Sequence, residues 1–251
     1  MSTGKRTAKT RAQQRRVTKP FRAPRRRQMG VIPGLLRQTA SEKKVIFSGD
    51  TDPINQPLNM NTTAVLYCPN LIQVGSSMFN RIGRKIEMRS IRLVANINTL
   101  NTTRTTLTPD AGRIMVVYDR QTNGAFPAIA DILQDTDQAG ANLTESVSGI
   151  NMNNRERFVT LIDKKFTIPQ ATLTAGVLTN VFPNDCAVPV KIDEFRKLRG
   201  LTTHFKADSN PAVIGDIATG ALYILSLAQT QAAGTELFNY RWNCRLKYVD
   251  V

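Results

Sequence analysis

Residues 238–248 alternate without a fault. Phe238, Tyr240, Trp242, Cys244, Leu246 and Tyr248 share one parity, and Asn239, Arg241, Asn243, Arg245 and Lys247 share the other. A side-chain period of two belongs to a strand with one face buried and one face outside the core. The apolar face must pack on an opposing sheet, which places the chain's only Trp inside a sandwich.

Seven further runs read as strands: residues 43–47, 63–67, 86–100, 114–118, 158–168, 198–206 and 221–227. The run 114–118 is continuously apolar, as is 221–227 but for Ser226, which predicts strands buried on both faces. The run 86–100 switches parity. Ile86 and Met88 share one face, whereas Ile91, Leu93, Ala95 and Ile97 have the opposite parity, so we expect a bulge near Arg89 and Ser90. Between the strands lie polar or Pro/Gly-containing loops, among them residues 50–61, 101–112, 134–154, 169–189 and 207–219. Pro127 opens a short helix with Ile129, Ile132 and Leu133 on its apolar side. Strands without regular intervening helices argue against a parallel α/β sheet. The fold class expected is all-β: an eight-stranded antiparallel sandwich, specifically a jelly roll.

The first 41 residues have a different character. They hold twelve Lys or Arg and no acid; the first acid is Glu42. The chain has 34 basic and 19 acidic residues, so about +12 of its +15 charge sits on this arm. In residues 1–28 the larger apolar side chains after the initiator are Val17 and Phe21, and Pro20 and Pro24 interrupt any helix. Too little apolar surface exists to offset ordering entropy, so residues 1–41 are expected to be a disordered arm and linker, and residues 42–251 a single globular domain. As a coil ~28 residues span roughly 30 Å, and fully drawn out about 95 Å.

Such an arm binds polyanions. Lys5, Arg6, Lys9, Arg11, Arg15, Arg16, Lys19, Arg22, Arg25, Arg26 and Arg27 are candidate phosphate contacts, able to neutralise on the order of ten phosphates in a salt-dependent way. The plainer reading is a solvated tail, but so many cations without one acid is extreme. A transit peptide would need an apolar stripe, which is absent. Arg15 with Arg16, and Arg25, Arg26 and Arg27, also fit a nuclear import signal, which is compatible with nucleic-acid binding. On the closing strand, Arg241, Arg245 and Lys247 present three cations on the polar face and are candidate fixed phosphate contacts; the alternative is a solvated face serving solubility.

Other chemistry has little support. His204 is the only histidine and lies between Thr203 and Phe205, where a packed or hydrogen-bonded strand residue is expected rather than a base. Cys68, Cys186 and Cys244 are irregularly spaced and read as three reduced core thiols, not a disulfide framework or a zinc site. Asp131, Asp135 and Asp137 lack the Gly and distal Glu of a calcium loop and read as solvated turn acids. No phosphate-binding G-x-x-x-x-G-K-[ST] loop occurs. The longest nearly apolar run, residues 221–228, falls far short of the roughly 18 residues a membrane span needs. With no signal for the secretory pathway, the sequons at Asn61, Asn101 and Asn142 read as chance matches. We therefore expect no enzyme, no metal, no cofactor and no membrane insertion.

Several segments carry a resemblance. They are Arg81-Ile82-Gly83-Arg84-Lys85-Ile86 with Arg89-Ser90-Ile91, then Arg113-Ile114-Met115-Val116-Val117-Tyr118-Asp119-Arg120-Gln121 with Asn123-Gly124 and Asp131-Ile132-Leu133. Asn154-Arg155-Glu156-Arg157-Phe158 follows with Leu161, Asp163 and Lys164, and last comes Gly215-Asp216-Ile217-Ala218-Thr219-Gly220-Ala221-Leu222-Tyr223. In order and spacing this set resembles capsid proteins of small viruses with circular single-stranded DNA that encode a replication initiator, the relatives of circoviruses and geminiviruses. The resemblance implies a single jelly roll, self-assembly into the smallest (T=1) icosahedral shell of sixty copies, and packaged single-stranded DNA. It also implies residence in the virion and in the host nucleus during assembly, with a nuclear import receptor and a host-cell receptor as further partners. In such capsids the C-terminal strand lies in the sheet lining the particle interior, which would aim Arg241, Arg245 and Lys247 at the packaged strand. The motifs are structural and nominate no catalytic residue, and residues 169–189 match no pattern.

Two other readings share the arm. A satellite-virus coat packaging RNA has the same jelly roll and basic arm. A cellular nucleic-acid-binding protein of ribosomal type would normally carry a basic folded surface, whereas residues 42–251 hold 22 basic against 19 acidic residues.

Overall fold

The computed structural model describes residues 43–49, 58–60, 65–99, 103–104, 110–134, 144–168, 178–179, 190–228 and 238–251. The arm, with its candidate phosphate contacts and import residues, lies outside them, as do Cys186, Asp135 and Asp137.

The described strands form two main antiparallel sheets. The first contains β1 (Lys43–Gly49), β4 (Lys85–Thr99), β9 (Val190–Phe205), β10 (Ile217–Thr219) and β12 (Phe238–Asp250), in the order β1-β12-β4-β9-β10; β2 (Leu58–Met60) also pairs with the start of β12. The second contains β3 (Val65–Tyr67), β6 (Asp110–Asp119), β7 (Phe158–Ile168) and β11 (Ala221–Ala228), in the order β3-β11-β6-β7. A small third pair joins β5 (Thr103–Arg104) to β8 (Leu178–Thr179). The helix expected after Pro127 is a single turn, α1 (Ile129–Ile132), with Ile132 and Leu133 buried.

The described residues thus hold twelve strands, not eight. The four unexpected ones, β2, β5, β8 and β10, have two or three residues each, too short to leave a periodic pattern in sequence. A second difference is that β9 begins at Val190, eight residues before the predicted start at 198. Among residues 190–197 only Ile192 is buried, so the strand's first half lacks the apolar alternation that sequence reading depends on.

The parity switch in β4 is a bulge. Lys247 pairs with Ser90 and Tyr248 with Met88, leaving Arg89 without a partner on β12. On the other side Ser90 pairs with Lys197 and Met88 with Leu201, so β9 also has extra residues there. They include Arg199 at φ 49° and Gly200 at φ 80°, left-handed conformations that glycine adopts at little cost. The bulge returns Ile86 and Met88 to the same buried face as Ile91, Leu93, Ala95 and Ile97.

The core lies between the two main sheets. The six apolar side chains of β12 are all buried, as the alternation predicts. Phe238 meets Phe166 of β7 edge-to-face at 5.2 Å, Trp242 meets Tyr67 of β3 at 4.8 Å, and the Tyr240 and Ser226 hydroxyls are 2.8 Å apart. The sheets are also tied at a polar point. Asn70 Nδ2 donates to Thr203 Oγ1 and to the Gly220 carbonyl, both at 2.9 Å, and Asn70 Oδ1 accepts from the Leu222 amide at 3.0 Å. Gly220 has φ 81°, and a Cβ there would lie 2.0 Å from the Thr202 carbonyl oxygen, so only glycine fits this close approach.

The outer face of the second sheet is covered. Every residue of β11 is buried. Tyr223 packs on Phe126 at 5.7 Å from the connection that follows β6. Arg113 of β6 is buried and donates to both oxygens of Asp163 on β7, at 2.8 and 2.7 Å, and to the Ser146 and Ser148 carbonyls, at 3.4 and 2.5 Å. Asp119 at the end of β6 is fully buried and receives Arg157. These ions pin the β6–β7 connection across the sheet.

Candidate nucleic-acid interface

No described residue covers the outer face of the first sheet in this way. Because β1, β4, β9 and β12 alternate, the residues opposite the core stand in rows across it. Phe47 on β1 faces Arg245 on β12, which faces Arg92 on β4, which faces Phe195 on β9. One row along, Val45, Lys247, Ser90 and Lys197 are aligned. On the other side lie Gly49, Asn243, Val94 and Asp193, then Arg241, Asn96 and Lys191. With neighbouring strands about 4.8 Å apart, the first row spans about 14 Å from Phe47 to Phe195.

The face is strongly cationic. Lys43, Arg89, Arg92, Lys191, Lys197, Arg199, Arg241 and Lys247 are exposed, and Arg245 is half-buried. Among its described residues the acids are Glu87 and Asp193, and each already holds an arginine. Arg89 reaches Glu87 at 2.8 Å. Arg92 donates from Nε at 2.8 Å and from a terminal nitrogen at 2.5 Å to the two oxygens of Asp193. Those hydrogen bonds hold the Asp193 carboxyl below its ordinary range. The pair fixes the Arg92 guanidinium plane on the face.

Two large apolar side chains interrupt the charge. Phe47 is 53% exposed and Phe195 is 51% exposed, at the two ends of the row that carries Arg245 and Arg92. Basic side chains contact phosphates, while aromatic rings stack on bases, and the two together are what a surface for single strands requires.

Of the candidates named from sequence, Arg241, Arg245 and Lys247 are brought together on this face. Sequence reading missed Phe47, Arg92, Lys191, Phe195 and Lys197. The alternation of Ile91, Leu93 and Ala95 assigns Arg92 to the outer side, a signal available without coordinates. Nothing local revealed that β9 pairs with β4.

Other candidates resolve differently. His204 is on a strand as expected, but its side chain is exposed rather than packed. The Asp131 carboxylate, in an exposed setting, accepts from the Ala128 amide at 3.0 Å at the start of α1. Cys68 and Cys244 are buried free thiols, both pushed up to about 12 by burial. Arg81 is fully buried and donates to the carbonyls of Ile72, Gly83, Ala207 and Ser209, with its guanidinium 3.9 Å from the Phe205 ring centre. It joins two loops and belongs to the scaffold. No helix among the described residues is long and apolar enough to cross a membrane.

No protein-family model and no curated protein matches this chain.

Proposed function

We propose that this chain is a viral coat protein that self-assembles into a small icosahedral shell and packages single-stranded DNA. The observation that carries this reading is the union, in one chain, of a cationic sheet face that no described residue covers with an acid-free arm of twelve Lys and Arg. Sixty such arms would bring roughly 700 positive charges into a closed shell, enough to draw in a polyanion without reading its sequence. Point-group closure would turn modest subunit contacts into cooperative assembly. In this reading the arm also engages a nuclear import receptor, the shell's outside meets a host-cell receptor, and the protein acts in the host nucleus and the virion.

The fold assigned in this reading is a jelly roll. What supports it is the strand order. The longer strands β1, β12, β4 and β9 make one sheet and β3, β11, β6 and β7 the other, and the chain crosses between sheets as two Greek keys would. The first sheet would then face the particle interior, with Arg241, Arg245 and Lys247 toward the cargo.

Electron microscopy of the purified full chain, followed by nuclease typing of co-purified nucleic acid, tests the proposal. Closed isometric particles holding DNase-sensitive single strands are expected. Particles holding RNA would favour a satellite-type coat, and a monomer without nucleic acid would overturn the reading.

A further inference from the structure

β1 and β3 are edge strands of the two main sheets, and between them the sandwich holds a cavity of about 580 Å³. Its lining includes Ile46, Phe47, Tyr67, Phe126, Trp242 and Asn243. The lining is mainly apolar, and four of its eleven residues are aromatic. The cavity is therefore shaped for a flat, largely apolar ring.

Two lining residues belong also to the cationic face. Phe47 directly opposes Arg245, and Asn243 lies on β12 between Arg241 and Arg245 with the same outward parity. The rim of the cavity is thus continuous with the phosphate-binding surface. A flat aromatic ring tethered to an anion matches walls and rim together.

We propose that this cavity receives an unpaired nucleobase of a strand lying on the cationic face. The inference rests on the proposed binding of nucleic acid there and adds how single strands are selected. Phe47, Tyr67 and Phe126 supply ring faces and edges, and the Asn243 amide offers both a donor and an acceptor at the rim. A duplex has no free base to offer unless one is extruded at the cost of unstacking and unpairing. A purely apolar guest would leave the cationic rim unused.

Trp242 is the only tryptophan in the chain, so its emission reports directly on the cavity. The full chain, stripped of nucleic acid, is titrated with a labelled oligothymidylate of roughly 15 nucleotides, the scale of a site on one small domain. An abasic oligomer of equal length and a duplex are run in parallel, with label anisotropy and Trp emission both recorded. All three should bind, but only the base-bearing single strand should quench Trp242. Combining Phe47→Ala with Asn243→Ala should lower oligothymidylate affinity about tenfold, to that of the abasic oligomer. Both side chains are exposed, so the fold should hold. Binding with equal quenching by abasic and base-bearing strands, or with none, overturns the cavity as a base site and leaves the polyanion reading standing. An undiminished affinity gap in the double variant also overturns it. If anisotropy shows no binding of any oligomer, the nucleic-acid reading itself fails and the cavity proposal fails with it.

Discussion

Arg157 donates two hydrogen bonds to the fully buried carboxylate of Asp119, at 3.0 and 2.9 Å. Asp119 also accepts from the Gln121 amide at 2.9 Å and lies 3.4 Å from the Tyr223 hydroxyl. The pair joins the end of β6 to the segment leading into β7. Removing one partner strands a charge where water cannot reach. Arg157→Met should therefore destabilise the folded domain by about 3 kcal/mol or more, read as a shift in the denaturant midpoint. Adding Asp119→Asn to Arg157→Met should recover part of that loss, since the uncompensated charge is gone. Additive losses in the double-mutant cycle would show that the two residues do not act as a pair.

Burial raises the thiols of Cys68 and Cys244 from an ordinary value near 9 to about 12. At pH 8 a thiol with that pKa is roughly one part in ten thousand thiolate. Both should resist alkylation in the native protein and react once it is unfolded, which mass mapping of labelled peptides would show. The folded state keeps these protons where the unfolded chain releases them, so their contribution is whole below pH 9 and is lost as pH rises toward 12. Denaturation midpoints that stay flat across that interval would contradict it.

Replacing Arg241, Arg245 and Lys247 together with Gln leaves the apolar side of β12 untouched, so folding and shell formation should persist. Nucleic-acid binding should weaken, and the slope of log affinity against log salt should fall by about 2, at roughly 0.7 per lost contact to a single strand. Retention of cargo identical to the parent across a salt titration would remove this face from the binding surface.

Deleting residues 1–28 should leave a folded domain, because the segment has almost no apolar side chains to contribute to a core. Particles formed by the shortened chain should carry much less nucleic acid, measured by the absorbance ratio at 260 and 280 nm. Unchanged cargo would show that the arm does not recruit it.

Much of the architecture was legible because period two records burial directly. The alternation on β12 placed Trp242 in the core, the continuous run on β11 announced burial on both faces, and the parity switch in β4 located the bulge at Arg89. Where a strand buries little, as in the first half of β9, the record is blank. Arg81, Arg113 and Asp119 were visible only as parts of motifs. Whether a charge can be buried depends on partners far along the chain, such as Ser209 for Arg81 and Asp163 for Arg113, and no local pattern encodes them.

The proposed binding surface divides in the same way. The sequence alone determined the sign and location of the charge, +12 on residues 1–41, and the outward parity of Arg241, Arg245 and Lys247. Tertiary structure decided which residues join them. Strand pairing brought Phe47 of β1 and Phe195 of β9, nearly 150 positions apart, into one row with Arg245 and Arg92. It also left Trp242 beside a cavity that opens among those cations. The physical reason is that parity is a property of one strand, whereas a row across a sheet and a gap between two sheets exist only once strands have neighbours.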